Sequence, residues 1–274
     1  MSIQFQPTAL VGAIALALGF TSSVRAAEQN IPQASLDTIV VTASLYDQRI
    51  DQVPARITVI DEAVIDQSPI ATLPDLLKRE AAANVVQSGG YGQQSSIFLR
   101  GSNSTQTLLL RDGVRLNGAS SGAAPLAFLD TTDIQQIEVL KGPASLLYGT
   151  DAIGGVIQLI SKTPKKNQAF VTGEYGENNT YKAIVGADLF ENGIYAQVRG
   201  QSLETDGTPI KDALNAKDAS FQQKGVSTKF GIEKEKYTAS LDYSQNQGTS
   251  EYDNSGTLTS QDFKNEIINL KGSL

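Results

Sequence analysis

Residues 95–117 read SSIFLRGSNSTQTLLLRDGVRLN, and residues 137–160 answer them with IEVLKGPASLLYGTDAIGGVIQLI. Each stretch has the pattern strand, polar turn, strand, with glycine at the corners. Asp112 and Gly113 stand between the apolar run Leu108, Leu109, Leu110 and the triplet Val114, Arg115, Leu116, a short-loop hairpin signal. Lys141, Gly142 and Pro143 end one strand, and Gly154 with Gly155 opens the next. Residues 144–148 between them suffice for about one helical turn.

On the N-terminal side, residues 57–60 are a short β-branched run, and Asp61 is placed to cap a brief helix through Asp66. Thr72 is a candidate N-cap for a helix over 73–82, with Pro74 in its first turn and Lys78 and Arg79 toward its end. Leu73, Leu76 and Leu77 share one face of that helix at i, i+3, i+4 spacing. Strands are expected at 85–87, 97–100, 108–111, 137–140 and 156–160. Together these make a small α+β domain over residues 50–163, about the size that buries its own core.

From Gln168 onward the pattern becomes alternating. Tyr181, Ala183, Val185, Ala187 and Leu189 oppose Lys182, Gly186 and Asp188. Ile194, Ala196 and Val198 oppose Tyr195, Gln197 and Arg199, and Val226 and Phe230 oppose Ser227 and Lys229. Tyr237, Ala239, Leu241 and Tyr243 oppose Thr238, Ser240, Asp242 and Ser244. About six strands of period two follow over residues 164–274. A soluble antiparallel sheet with one buried face gives the same alternation. Two details favour a transmembrane β-barrel. The polar faces stay polar for whole strands, and Tyr237 and Tyr243 lie roughly 20 Å apart on one apolar face, comparable to an apolar band of about 25 Å bounded by aromatic residues.

At the other end, residues 8–20, TALVGAIALALGF, are the longest apolar stretch. They fall short of the about 20 residues that a spanning helix needs. With Val24, Arg25 and Ala26 behind them they read as a secretory signal peptide over 1–26, although no Lys or Arg precedes the apolar core. A buried N-terminal helix is the competing reading. Residues 27–49 are expected to be a flexible linker. Within it lies a β-prone segment, Asp37, Thr38, Ile39, Val40, Val41, Thr42 and Ala43, of the kind that pairs with the exposed edge of a partner's sheet.

Composition narrows the function classes. The 274 residues include no Cys and no His, which removes Ser-His-Asp and Cys-His nucleophiles, the usual zinc sites and any disulfide framework. A net charge of −7 argues against a nucleic-acid partner, which needs a basic face. Residues 149–154 have the two-glycine spacing of a phosphate loop, but Gly155 and Val156 stand where Lys and Ser or Thr are required. No catalytic constellation is found, and an enzyme is not expected.

The motifs of 95–117 and 137–160 resemble the plug domain of TonB-dependent outer-membrane receptors, in wording nearest the cobalamin (vitamin B12) receptor branch. The segment from Asp37 to Ala43 looks like the TonB box, in its family place between signal peptide and plug. The fold implied is an α+β plug domain followed by the first antiparallel strands of a transmembrane β-barrel, 22-stranded in full-length receptors. The resemblance implies import of a large scarce nutrient across the Gram-negative outer membrane, in contact with outer-membrane lipid and energised by TonB. Cobalamin is the expected ligand, with a ferric siderophore as the alternative.

By the same resemblance, Arg100 and Lys141 pair with barrel carboxylates and hold the plug seated. Lys141 stands where Arg is usual, which loses bidentate geometry. Arg111 replaces an aliphatic residue before DGVRLN and leaves that strand's buried face open. The apical loops imply substrate contacts from Ser88, Tyr91, Gln93, Gln94, Asn117 and Ser121. Asp206, Asp212, Asp218 and Asp253 are candidate calcium ligands in extracellular loops, without DxDxDG spacing; no other cofactor is expected. Six strands cannot close around such a plug, so an N-terminal fragment of a longer receptor is expected. A truncated periplasmic TonB-binding module is the second alternative.

Overall fold

The computed structural model describes residues 40–41, 48–49, 56–67, 70–209, 218–254 and 257–274. The signal peptide read at 1–26 lies outside the described residues. So do Asp37, Thr38, Ile39, Thr42 and Ala43 of the segment read as a TonB box. Its two described residues form β1 (Val40–Val41), antiparallel to β2 (Gln48–Arg49), with Val40 opposite Arg49 and Val41 opposite Gln48.

The next unit is built on a five-stranded mixed sheet. Its strands are β3 (Arg56–Ile60), β6 (Thr107–Arg111), β7 (Val114–Arg115), β8 (Ile134–Lys141) and β9 (Gly155–Ser161). Their order is β3-β8-β9-β6-β7, with β6 parallel to β9 and the other neighbours antiparallel. A separate hairpin pairs β4 (Asn84–Gln87) with β5 (Ser95–Phe98).

The unbroken apolar run of β6 follows from burial on both faces. Leu109 packs with Ile137, Val139, Ile157 and Leu159 into the larger core. Leu108 and Leu110 point the other way, with Leu140 and Val156. The larger core is closed by α1 (Glu62–Asp66) and α2 (Leu73–Arg79), which supply Ile65, Leu73, Leu76 and Leu77. Short α3 (Ser145–Tyr148) lies on the opposite side, where Ala144 and Tyr148 join the smaller core.

Local chemistry explains the boundaries. Asp61 accepts a hydrogen bond from the Val64 N–H at 2.9 Å and caps α1. Thr72 and Asp75 form a reciprocal capping box on α2. That helix stops at Arg79 rather than running to 82, because Ala82 turns left-handed at φ 45°. Asp112 (φ 48°) and Gly113 (φ 86°) make the two-residue turn from β6 to β7. Gly155, at φ 151°, crosses so close to β8 that an added Cβ would lie 2.2 Å from the Leu140 carbonyl oxygen.

Six antiparallel strands follow in chain order: β10 (Gln168–Gly176), β11 (Thr180–Glu191), β12 (Ile194–Pro209), β13 (Asp218–Lys234), β14 (Tyr237–Asn254) and β15 (Thr257–Ser273). Their polarity is the reverse of a soluble sheet. Val171 and Leu270 are 82% and 78% exposed, whereas Lys182 and Asp188 are 5% and 2% exposed. Apolar residues face outward and polar residues face the α+β unit, the arrangement of a barrel wall around a filled interior.

Arg111 pairs within the α+β unit, with Asp133, which also meets Ser227 of β13. The arginine is buried, and its Nη2 lies 2.5 Å from Asp133 Oδ2. Burial works against the charge of each partner, but the opposing charge and the hydrogen bond outweigh it. Arg111 is held above its ordinary value and Asp133 below its own. Asp133→Asn strands a buried guanidinium and is expected to cost about 3 kcal/mol in urea denaturation. The double change Arg111→Leu with Asp133→Leu should recover most of that loss. Because the folded Asp133 titrates below its ordinary 3.8, the pair stabilises fully above that pH. Its contribution is lost only as pH falls through the lower folded value.

Candidate functional site

The described ends of β14 and β15 and the stretches 88–96 and 123–128 come together at one end of the wall. A cleft of about 560 Å³ opens there. Ser88, Gln93, Gln94, Ser95 and Ser96 line it from the first loop, and 123–128 from the second. Ser250, Tyr252, Asp253 and Gln261 line it from β14 and β15. Its polar surface is hydroxyl and amide. Asp253 is the one charged residue, and no Lys or Arg lines it among the described residues.

Of the six residues expected to meet a ligand, three line this cleft. Ser88 and Gln94 are exposed. Gln93 is buried at the margin and donates from Nε2 to the Glu251 carbonyl at 2.5 Å. Tyr91 turns away: its hydroxyl donates to the Ile70 carbonyl at 3.1 Å, and its ring stacks on Phe221 at 6.2 Å. Burial, with smaller contributions from the charges of Asp75 and Glu174, pushes the Tyr91 phenol up to about 12.

Asn117 and Ser121 do not reach the cleft lining. Asn117 is buried, accepts from the Leu109 N–H at 2.8 Å, and donates to the carbonyls of Thr107 and Gly122 at 3.0 and 2.9 Å. The expected ligand contact is thus a staple of its own loop. Ser121 Oγ accepts from the Ala123 N–H at 3.2 Å.

Sequence reading missed 124–128, Ser250, Tyr252 and Gln261. The β14 pair had a legible signal, since both share the even-numbered parity of Asp242 and Ser244, which face inward. The second loop carried no such period.

The cleft stands on direct contacts between the two units. Lys182 Nζ lies 3.0 Å from Asp130 Oδ1. Lys229 Nζ donates to Ser161 Oγ at 2.9 Å and Thr163 Oγ1 at 3.0 Å. Gln223 and Asn265 both donate to the Phe128 carbonyl, at 3.0 and 3.3 Å. Away from this wall, Arg100 is exposed and left-handed at φ 50°. Lys141 donates to the Ala81 carbonyl. Burial lowers the Lys141 pKa, with further lowering from the charges of Arg56 and Arg100. The two residues expected to seat the plug therefore sit in one cationic cluster.

The candidate calcium residues do not converge. Asp206 accepts from Asn179 Nδ2 at 2.6 Å, Asp218 opposes Pro209, and Asp253 opposes Leu258 at the other loop. Asp212 lies outside the described residues. No group of three metal-binding side chains occurs among the described residues.

A mixed α+β domain packed on the polar face of an apolar-out antiparallel wall, with an open cleft at their shared end, defines a class. Residues 49–156 match the TonB-dependent receptor plug domain, and the chain belongs to the TonB-dependent receptors. Within that class, its sequence is similar to vitamin B12 transporters. It is 33% identical over 223 residues to the vitamin B12 transporter BtuB of Vibrio vulnificus strain CMCP6, covering 80% of this chain and 37% of the relative. It is 31% identical over 264 residues to the vitamin B12 transporter BtuB of Photobacterium profundum, covering 94% and 43%. The chain thus spans less than half the length of these curated relatives. The structure of Pseudomonas aeruginosa FpvA bound to heterologous pyoverdines superposes with a TM-score of 0.66 at 13% identity, covering 84% of this chain and 33% of that one. At that identity the likeness is one of fold.

Asn117→Ala removes three buried hydrogen bonds and is expected to destabilise the protein by about 2–3 kcal/mol. Limited proteolysis should then cut within 118–123 in the variant and spare the parent.

Proposed function

We propose that this chain serves TonB-dependent import of cobalamin across the Gram-negative outer membrane. The observation that carries the ligand is the cleft lining: hydroxyls, amides, aromatic faces and a single carboxylate, with no cation among the described residues. An anionic ferric catecholate or carboxylate chelate calls for Lys or Arg. A neutral ligand rimmed with amides is suited to Ser, Gln and backbone groups. Similarity to vitamin B12 transporters supports the same reading.

The outward rows Val171, Val185, Val198, Phe230, Leu241 and Ile268 support lipid contact along the wall, and residues 1–26 are read as the export signal. TonB engages residues 37–43 by strand pairing. The chain then enters the plug through β3, an edge strand whose pairing is with β8 alone. Tension applied from the N-terminal side therefore loads the β3–β8 ladder first, and peeling it remodels the plug. Arg100 and Lys141 are proposed to seat the plug against carboxylates of the barrel.

Radiolabelled cyanocobalamin should bind outer membranes that contain the protein, and a ferric catecholate should not compete. Binding of the ferric chelate, with no cyanocobalamin bound, would overturn the ligand. Val40→Pro removes a backbone donor from the partner-pairing segment. It is expected to abolish energised uptake while leaving binding unchanged; undiminished uptake would reject the assignment of residues 37–43.

A further inference from the structure

Several apolar side chains share the inward parity of the wall strands, Ile184, Tyr195, Leu203 and Phe221 among them. Phe221 lies on the same side of β13 as Gln223, Ser227 and Lys229, and Phe263 lies on the same side of β15 as Asn265 and Asn269. Two large apolar rings therefore stand on the inward face of β13 and β15. Phe221 is 2% exposed.

Both rings belong to one column. Tyr91, on the first loop, stacks on Phe221 at 6.2 Å and 22°. Phe221 stacks on Phe263 at 5.8 Å and 5°. Phe263 stacks on Phe128, on the second loop, at 4.4 Å and 25°. The column thus begins at Tyr91, on the first cleft loop but behind its lining, passes through two barrel strands, and ends at Phe128 on the other wall.

The first loop is shaped to admit it. Gly92, at φ 68°, lies so near the Phe221 ring that an added Cβ would come within 2.3 Å of a ring carbon. Its carbonyl accepts from Ser250 Oγ at 3.0 Å. On the second loop, the carbonyl of Phe128 is held by Gln223 and Asn265, which flank the column on the same two strands.

We propose that Phe221 and Phe263 are positioning residues for the ligand cleft: without lining it, they set the separation and rigidity of the two plug loops that do. Neither ring is among the residues lining the cleft. The inference rests on the ligand-binding reading of that cleft, but its structural half, coupling between the loops, stands apart from the ligand's identity. Aromatic pairs contribute through geometry beyond the area they bury, so leucine keeps the apolar character and loses the stack.

The test uses Phe221→Leu, Phe263→Leu and the ring-retaining Phe263→Tyr in outer-membrane preparations. Phe230→Leu on the outward face is the control. Hydrogen exchange is followed separately over 88–95 and 117–128, together with cyanocobalamin affinity and heat-modified gel mobility. Phe221→Leu is expected to raise exchange in both loops, although its ring touches the first loop alone. It should weaken cyanocobalamin binding about tenfold, the scale of one aromatic pair. Phe263→Tyr should behave as the parent.

Faster exchange confined to 88–95, or unchanged affinity in a Leu variant of normal mobility, would overturn the proposal. If the parent binds no cyanocobalamin, the ligand assignment fails, and exchange alone decides the column. If Phe221→Leu does not assemble, Phe128→Leu at the plug end is read in the opposite direction: raised exchange over 88–95 is expected, and unchanged exchange there overturns the coupling.

Discussion

The structure depends on the inversion of polarity in β10–β15. A sheet whose apolar rows face outward has no hydrophobic core of its own to hold anything against its inner side. Buried charges on that inner side need partners, since an unpaired buried charge is costly. Asp188 and Arg199 pair with each other within the wall, whereas Lys182 and Lys229 are met by polar groups of the plug, which keeps its apolar residues in two separate cores.

That division of labour explains the character of the interface. It is held by Lys182 with Asp130, by Lys229 with Ser161 and Thr163, and by side-chain amides reaching the Phe128 carbonyl. Such contacts specify a seat through geometry, and they exchange readily for water when the plug moves. An apolar interface of the same extent would resist withdrawal, because separating it exposes hydrocarbon. The plug interior behaves differently: Leu76, Leu109, Ile137 and Ile157 are fully buried, so the sheet resists disruption except at its β3 edge.

Within this interface the Tyr91–Phe221–Phe263–Phe128 column is an apolar link between the two plug loops. It lies at the cleft end of the interface, where the loops of a binding site need fixed spacing. Farther along, at Lys182 and Lys229, ionic and hydroxyl contacts take over. Fixed loops at one end and an exchangeable seat over the rest suit the proposed cycle of ligand recognition followed by plug release.

Much of this was legible in the sequence. The hairpin at Asp112-Gly113, the caps at Asp61 and Thr72, the apolar Leu108–Leu110 run and the six alternating strands are local patterns, and each is fixed by backbone geometry or side-chain period. The same patterns, with the wording of 95–117 and 137–160, pointed to the receptor class. The roles of Arg111 and Asn117 were not legible, because each depends on a partner distant in sequence or fold. Arg111 is buried since Asp133 meets it, and Asn117 is withdrawn from the cleft since three backbone groups claim it. Phe221 and Phe263 lie before the alternating stretches read from the sequence, and only the register of β13 and β15 against the plug loops joined them to Tyr91 and Phe128. By itself the sequence determined which elements form, because that is settled by local periodicity. Tertiary structure decided which side chains remain free to meet a ligand, because burial and pairing are set by residues from different strands.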